Sequence, residues 1–345
     1  MAPKPPSTDW KESVAPDEEA RFTRHAESLR DIQRARAAGA SARRALHAKA
    51  NCGLEGELTI LGDLPRHARA GLFARPATYR AYVRYSNGDG RCQADAIGDV
   101  RGLAVKVLGV EGKKVIPGME QEKTQDLLFI RTPAIPFRNA DEFVAVVSAA
   151  QQSHLLLLPR VLARLGFGRT FELMPQLSRG LKAPTLSLAS APYYSAVPVR
   201  CGDYAVRYAL TPHDSPQLAA LGSPDALHEE LAGRLAKDPV VYDLRLQFFV
   251  DETATPIEDA SVEWKEADAP YVTVGRLTLP VQDVDGAHGK KVAERVEMLA
   301  FDPWHALETH RPLGNVMRAR NHAYRLSTDE RGAAREPDGS ESPGG

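Results

Sequence analysis

With 345 residues, 43% hydrophobic and 26% charged, the chain has ordinary globular composition and enough length to bury a large cofactor in one large domain or two modest ones. Lys plus Arg is 44 against 45 for Asp plus Glu, so there is no bulk positive charge to condense nucleic acid or an anionic membrane. Three widely spaced cysteines, Cys52, Cys92 and Cys201, fit neither a disulfide framework nor paired zinc ligands, and suggest a reducing compartment.

Residues 1–17 mix Pro, Lys, Asp and Glu without the apolar core of a secretory signal, and read as a flexible arm; the cytoplasm is the expected location. From Glu18 to Ala38 an Ala-, Arg- and Glu-rich stretch without proline predicts a helix leading into Arg43–Ala50. Short β-prone runs follow at Glu57–Leu61, Tyr79–Tyr85, Leu103–Val110 and Leu127–Thr132, separated by Gly, Asp, Asn and Pro. In the second run Tyr79, Ala81, Val83 and Tyr85 share one face, while Arg80, Tyr82 and Arg84 share the other. Residues 141–195 have helical and loop character, broken by Pro159, Pro175 and Pro184. Their apolar run at Leu155–Leu158 is far short of the roughly 20 residues that a membrane helix needs.

A second strand set lies at Tyr204–Leu210, Val240–Val250 and Tyr271–Leu279, with a helix at Asp225–Leu235 between the first two. A last helix is predicted over Gly314–Leu326, after the Pro312 and Gly314 break. Residues 333–345 have the composition of a disordered tail, which leaves 18–332 as one domain. Strands grouped in two sets without regular βα alternation predict an α+β fold with an antiparallel sheet, closed into a barrel.

Arg320 and Tyr324, four residues apart in a helix, lie one turn from each other on one face. An adjacent guanidinium favours a phenolate by charge and hydrogen bonding, and a phenolate is an axial ligand for haem iron. Arg331, seven residues further on, is placed to meet a haem propionate. His47 sits in Arg44-Ala-Leu46-His47, just before the first β-run. A neutral imidazole above iron can take a proton from one peroxide oxygen and return it to the other. Arg84, at the end of the second run, joins Arg44 and Arg331 as candidates to neutralise two propionates.

With these residues in hand the chain resembles the haem catalase family, particularly its short, catalase-related peroxidase members. His47-Ala-Lys-Ala-Asn-Cys-Gly-Leu-Glu-Gly is similar to the distal histidine motif, and Val83-Arg84-Tyr85-Ser86 to the strand that carries an arginine for haem and a serine bonded to that histidine. Asp99-Val-Arg101-Gly102-Leu-Ala-Val-Lys106 is similar to the family's Asp-x-Arg-Gly-x-Ala-x-Lys run. His310 to Tyr324, with Arg331, is similar to the proximal helix. The resemblance implies a haem-filled, eight-stranded antiparallel barrel with flanking helices. It also implies haem b as cofactor, Tyr324 as axial ligand held by Arg320, and His47 oriented by Ser86. Leu46 and Phe143 would pack near the haem, and Asp99 would lie beside the peroxide channel.

One departure bears on activity, because Ile130 and Arg131 stand where the family has a pair of asparagines, the first of which orients peroxide. Ile130 has no donor, and strand alternation sends Arg131 to the other face. The expected function is therefore reduction or rearrangement of hydrogen peroxide or an organic hydroperoxide, with weak dismutation and an unidentified reductant. Two alternatives stand beside it: a fatty-acid hydroperoxide isomerase of the allene oxide synthase type, and a haem carrier without turnover. A non-haem metal site at His305, His310 and His322 is disfavoured, since spacings of five and twelve do not place three imidazoles on one helical face. NADPH binding and oligomeric state, a homo-oligomer included, are left open.

Overall fold

The computed structural model describes residues 3–37, 43–152, 157–182 and 184–337. The chain opens with α1 (Glu18–Ala37), then β1 (Ala50–Ile60), β2 (Ala77–Asn87), β3 (Arg101–Leu108) and β4 (Thr124–Ile130). Two helices follow, α2 (Ala140–Gln152) and α3 (Leu157–Lys182), with Pro175 inside α3 and a kink at Gly166. Next come β5 (Tyr193–Tyr194), β6 (Val199–Cys201), β7 (Tyr204–Pro212), α4 (Ala226–Leu235), β8 (Val240–Phe248) and β9 (Tyr271–Leu279). The described chain closes with α5 (Ala287–Met298) and α6 (Asn315–Glu330).

All strand pairs are antiparallel, and β5 bonds to both β4 and β7. That double pairing closes an eight-stranded barrel in the order β5-β4-β3-β2-β1-β9-β8-β7, with β6 added to β7. Alternation decides which side chains enter it. Val83 and Tyr85 of β2, Leu103 and Val105 of β3, and Leu127 and Phe129 of β4 are buried in one core with Leu244, Leu246 and Leu277. The barrel is thus filled by its own side chains, which corrects the expectation of a haem-filled interior. The large cavity lies against the outer face of β2, β3 and β4, under α1, α2 and α6.

The start of β1 and all of α5, β5 and β6 escape the sequence pattern. β1 begins at Ala50 instead of Glu57, because Cys52, Gly53 and Leu54 pair with Tyr85, Arg84 and Val83. α5 packs across that start. A Cβ on Gly53 would come within 2.9 Å of Ala293 Cα and Val296 Cβ, so the helix can approach only a glycine. The short β5 and β6 are also unread in the sequence, since two or three residues carry no period.

The described residues on either side of the expected domain make specific contacts. Residues before α1 have no regular structure before Ala15, yet Ser7 N bonds Phe249 O at 2.9 Å and Trp10 Nε1 bonds Asp203 O at 2.8 Å. Past α6, Glu336 turns inward and accepts from Lys106 Nζ at 2.7 Å and Thr124 Oγ1 at 2.9 Å. Residues 38–42, in which the predicted first helix ends, part of the apolar run at 155–158, and the tail from 338 onward lie outside the described residues. Among the described residues no helix is long and apolar enough to cross a membrane.

Candidate active site

A cavity of about 470 Å³ opens between the barrel wall and the helices. Small residues on the outward face, Gly102 and Ala104, give it room on the strand side. On the helical side α6 presents Val316, Ala319, Arg320, Ala323, Tyr324, Ser327, Thr328 and Arg331, a stripe repeating every three and four residues. Alanines at 319 and 323 leave space where Arg320 and Tyr324 project.

His47, Leu46, Arg44, Arg84, Ser86, Asp99, Ile130, Phe143, Arg320, Tyr324 and Arg331 all line this one cavity. Arg131 does not appear on its wall; its backbone N–H bonds Arg101 O at 3.2 Å. Ile130 pairs across the ladder with Gly102, so its side chain faces the same space.

His47 takes φ of 56°, a left-handed conformation that a non-glycine residue adopts only when its surroundings impose it. Its N–H bonds Gly88 O at 2.9 Å, and its carbonyl accepts from Arg84 Nη2 at 3.0 Å. The ring is fixed from two sides. Nδ1 lies 3.0 Å from Ser86 Oγ, and a Cβ on Gly102 would be only 2.6 Å from His47 Cε1. The ring touches the open cavity but protein surrounds most of it. That burial, with Arg84, Arg320 and Arg44 nearby, pushes its pKa down to about 3, so the imidazole stays neutral across the physiological range.

Across the sequence, Arg320 Nη2 donates to Tyr324 Oη at 2.7 Å, and its guanidinium lies 4.9 Å from the ring centroid. Arg320 Nη1 is 3.4 Å from Met317 Sδ, which fixes the guanidinium along the helix. At the mouth, Arg44 and Arg84 bond the carboxylate of Glu297, while Arg44 and Arg331 bond carbonyls at the end of α5. Burial lowers Arg44, and burial brings Arg331 down to about 10. Asp99 accepts from Asp89 N at 3.0 Å, and burial raises its carboxyl. Phe143 packs edge-on against Phe137 with centroids 5.3 Å apart.

The rest of the Asp99–Lys106 run supports this wall instead of reaching the cavity. Arg101 is buried and donates to Asp95 O at 2.7 Å, tying the loop before β3. Lys106 is buried against Asp126 at 2.7 Å. Sequence reasoning misses Glu297, the turn Ser195–Val197 with Ala196 at φ 59°, and the α1 face carrying Leu29 and Gln33, all but the first on the cavity wall. The helical period of α1 is a signal that could have found its face; a turn and a lone glutamate carry none.

The three histidines of the metal alternative are apart. His305 faces Glu336 at 3.1 Å, His310 Nε2 accepts from Leu72 N at 2.9 Å, and His322 faces Glu19 at 3.4 Å. Among the described residues no cluster of three or more His, Cys, Asp or Glu could hold a metal ion.

Comparison with known proteins agrees with the geometry. A catalase-related peroxidase of Mycolicibacterium paratuberculosis is 29% identical over 309 residues, covering 82% of this chain and 87% of the relative. Among solved structures, catalase A from Saccharomyces cerevisiae superposes with a TM-score of 0.65 at 17% identity, over 95% of this chain and 68% of that one. A fungal catalase superposes at 0.62 with 20% identity, over 95% and 66%. A bacterial catalase superposes at 0.61 with 17% identity, over 95% and 63%. The chain therefore spans about two thirds of the length of these catalases. No family model matches it. The barrel is closed, the ordered motifs line one cavity, and the chain is similar to a catalase-related peroxidase over most of its length and shares the fold of the catalases.

Proposed function

We propose that this chain is a haem-dependent oxidoreductase that reduces peroxides. The observation that carries the reading is the meeting of His47 and Tyr324, from opposite ends of the sequence, on the wall of one cavity rimmed by three arginines. The residues present fit a haem. Its volume is that of a cofactor site, its walls are mostly apolar, and of the three guanidiniums Arg44 and Arg84 share the one carboxylate of Glu297 while Arg331 bonds only carbonyls, which leaves positive charge for two propionates. Tyr324 would ligate the iron, with Arg320 donating to its oxygen.

A ferric haem b would supply a Lewis-acidic, redox-active centre at which the O–O bond of a peroxide can be cleaved with two electrons. The proton work falls to His47. With Nδ1–H donated to Ser86 Oγ, the other ring nitrogen carries the lone pair, takes the proton from the bound peroxide oxygen and delivers it to the departing one. The two electrons that peroxide reduction consumes would come from an external reductant. Ile130 offers no hydrogen bond to a second peroxide, and it widens the apolar wall formed with Leu46, Leu128 and Phe143. Both features favour peroxidation, including that of bulkier organic hydroperoxides, over dismutation.

The test is the optical spectrum of the purified, haem-replete protein. Replacing the ligating oxygen in Tyr324→Phe should shift the Soret and charge-transfer bands at unchanged porphyrin content. Identical absorption in the two proteins would refute the assignment.

A further inference from the structure

The three arginines at the cavity mouth converge on one helix end. Arg84 Nε donates to Glu297 Oε2 at 2.9 Å, and Arg44 Nη1 bonds Glu297 Oε1. Arg44 Nη2 also donates to the carbonyls of Glu297 and Leu299 at 3.0 and 2.8 Å. Arg331 reaches the same carbonyls, Glu297 O at 3.2 Å and Leu299 O at 2.5 Å. The carbonyls at the C-terminus of α5 are the unsatisfied acceptors of a helix end and carry its negative pole, so they suit guanidiniums.

Arg44, Arg84 and Arg331 all line the cavity, whereas Glu297 does not. The carboxylate therefore holds Arg44 and Arg84 from outside the cavity. It takes Arg44 Nη1 and Arg84 Nε; with Arg44 Nη2 on the two carbonyls and Arg84 Nη2 on His47 O, Arg44 Nε and Arg84 Nη1 are left for a ligand. Arg84 depends on it most, since its remaining bond runs from Nη2 to His47 O.

We propose that Glu297 is a positioning residue for the carboxylates of the cofactor: it orients Arg44 and Arg84, on the end of α5 that also holds Arg331, so that their free N–H groups meet the propionates. This rests on the haem reading above. The opposite possibility is a competitor that occupies the arginines until the cofactor displaces it. Its place outside the cavity argues against that role.

The experiment uses iron-free protoporphyrin IX and its dimethyl ester, binding being read by quenching of tryptophan fluorescence in the unloaded full chain. Neither probe depends on Tyr324 ligation or on turnover. The wild type should prefer the diacid. Glu297→Ala should weaken the diacid about tenfold, the worth of one charge-assisted hydrogen bond, and leave the ester unchanged. Glu297→Gln, which keeps one acceptor and the side-chain volume, should fall between. A general loss of folding would weaken both probes alike, so the diacid-to-ester ratio isolates positioning. Diacid binding by Glu297→Ala and Glu297→Gln as tight as wild type, or tighter, overturns the proposal while the haem reading stands. A wild type that binds both probes equally overturns the propionate site itself.

Discussion

A methyl group at position 102 would sit 2.6 Å from the His47 ring and 3.2 Å from Ser86 Oγ. Neither neighbour can yield freely, because Ser86 is buried and the His47 backbone is bonded on both sides. Gly102→Ala should therefore turn the imidazole away from the peroxide position. The expected outcome is a loss of about 10²-fold in the rate of reaction with peroxide at unchanged haem content; an unaltered rate in stopped-flow measurements would show that the ring has other room. Directly across the ladder, Ile130→Asn would put a donor on the wall. Oxygen evolution from hydrogen peroxide should be weak in the wild type and rise at least about tenfold in the variant, because one well-placed donor is worth that much or more. The resemblance made both positions legible, but only the structure shows that Gly102 is a matter of steric contact with His47.

At the scale of elements, period and spacing located the long strands other than the start of β1, and α1, α4 and α6, to within a few residues. They failed where an element has no period to read, as in β5, or where its apolar face is two valines wide. α5 buries Val292 and Val296 among charged neighbours, and so passes for loop. Its cost to the functional reading was Glu297. The described residues after α6 carry no local signal for their contacts either, since polar composition predicts solvent and Glu336 joins a buried charge cluster. Burial alone would lower the pKa of His305, yet Asp126 and Glu336 outweigh it and hold it up at about 10. An imidazole raised in the folded state stabilises fully below its unfolded value near 6.5, and that contribution is lost as pH rises from about 6.5 to about 10. Lys114, brought down to about 8 by burial, works in the opposite sense between about 8 and 10.5 and is common to wild type and variant. His305→Gln removes only the first effect. The excess melting temperature of wild type over His305→Gln should accordingly shrink as pH rises from 6.5 to 10, and a constant difference would show that the cluster holds no extra proton.

For the molecule as a whole, the site joins early and late parts of the sequence: residues 44–47, 84 and 86 line one cavity with residues of 320–331. The pairing was inferred from ordered motifs, whereas the clasp that holds it was not. Arg318 of α6 bonds Glu18 at 2.5 Å, Glu12 at 2.8 Å and Glu258 at 3.0 Å, and Glu12 also accepts from Gly314 N at 2.9 Å. No local pattern announces an ion cluster that joins positions some three hundred residues apart. This clasp fixes the timing of assembly. Glu12 and Glu18 precede their partner guanidinium by some three hundred residues, so the clasp cannot close until that length of chain exists. The cavity wall that α6 supplies is therefore complete only once two distant segments of the chain have met.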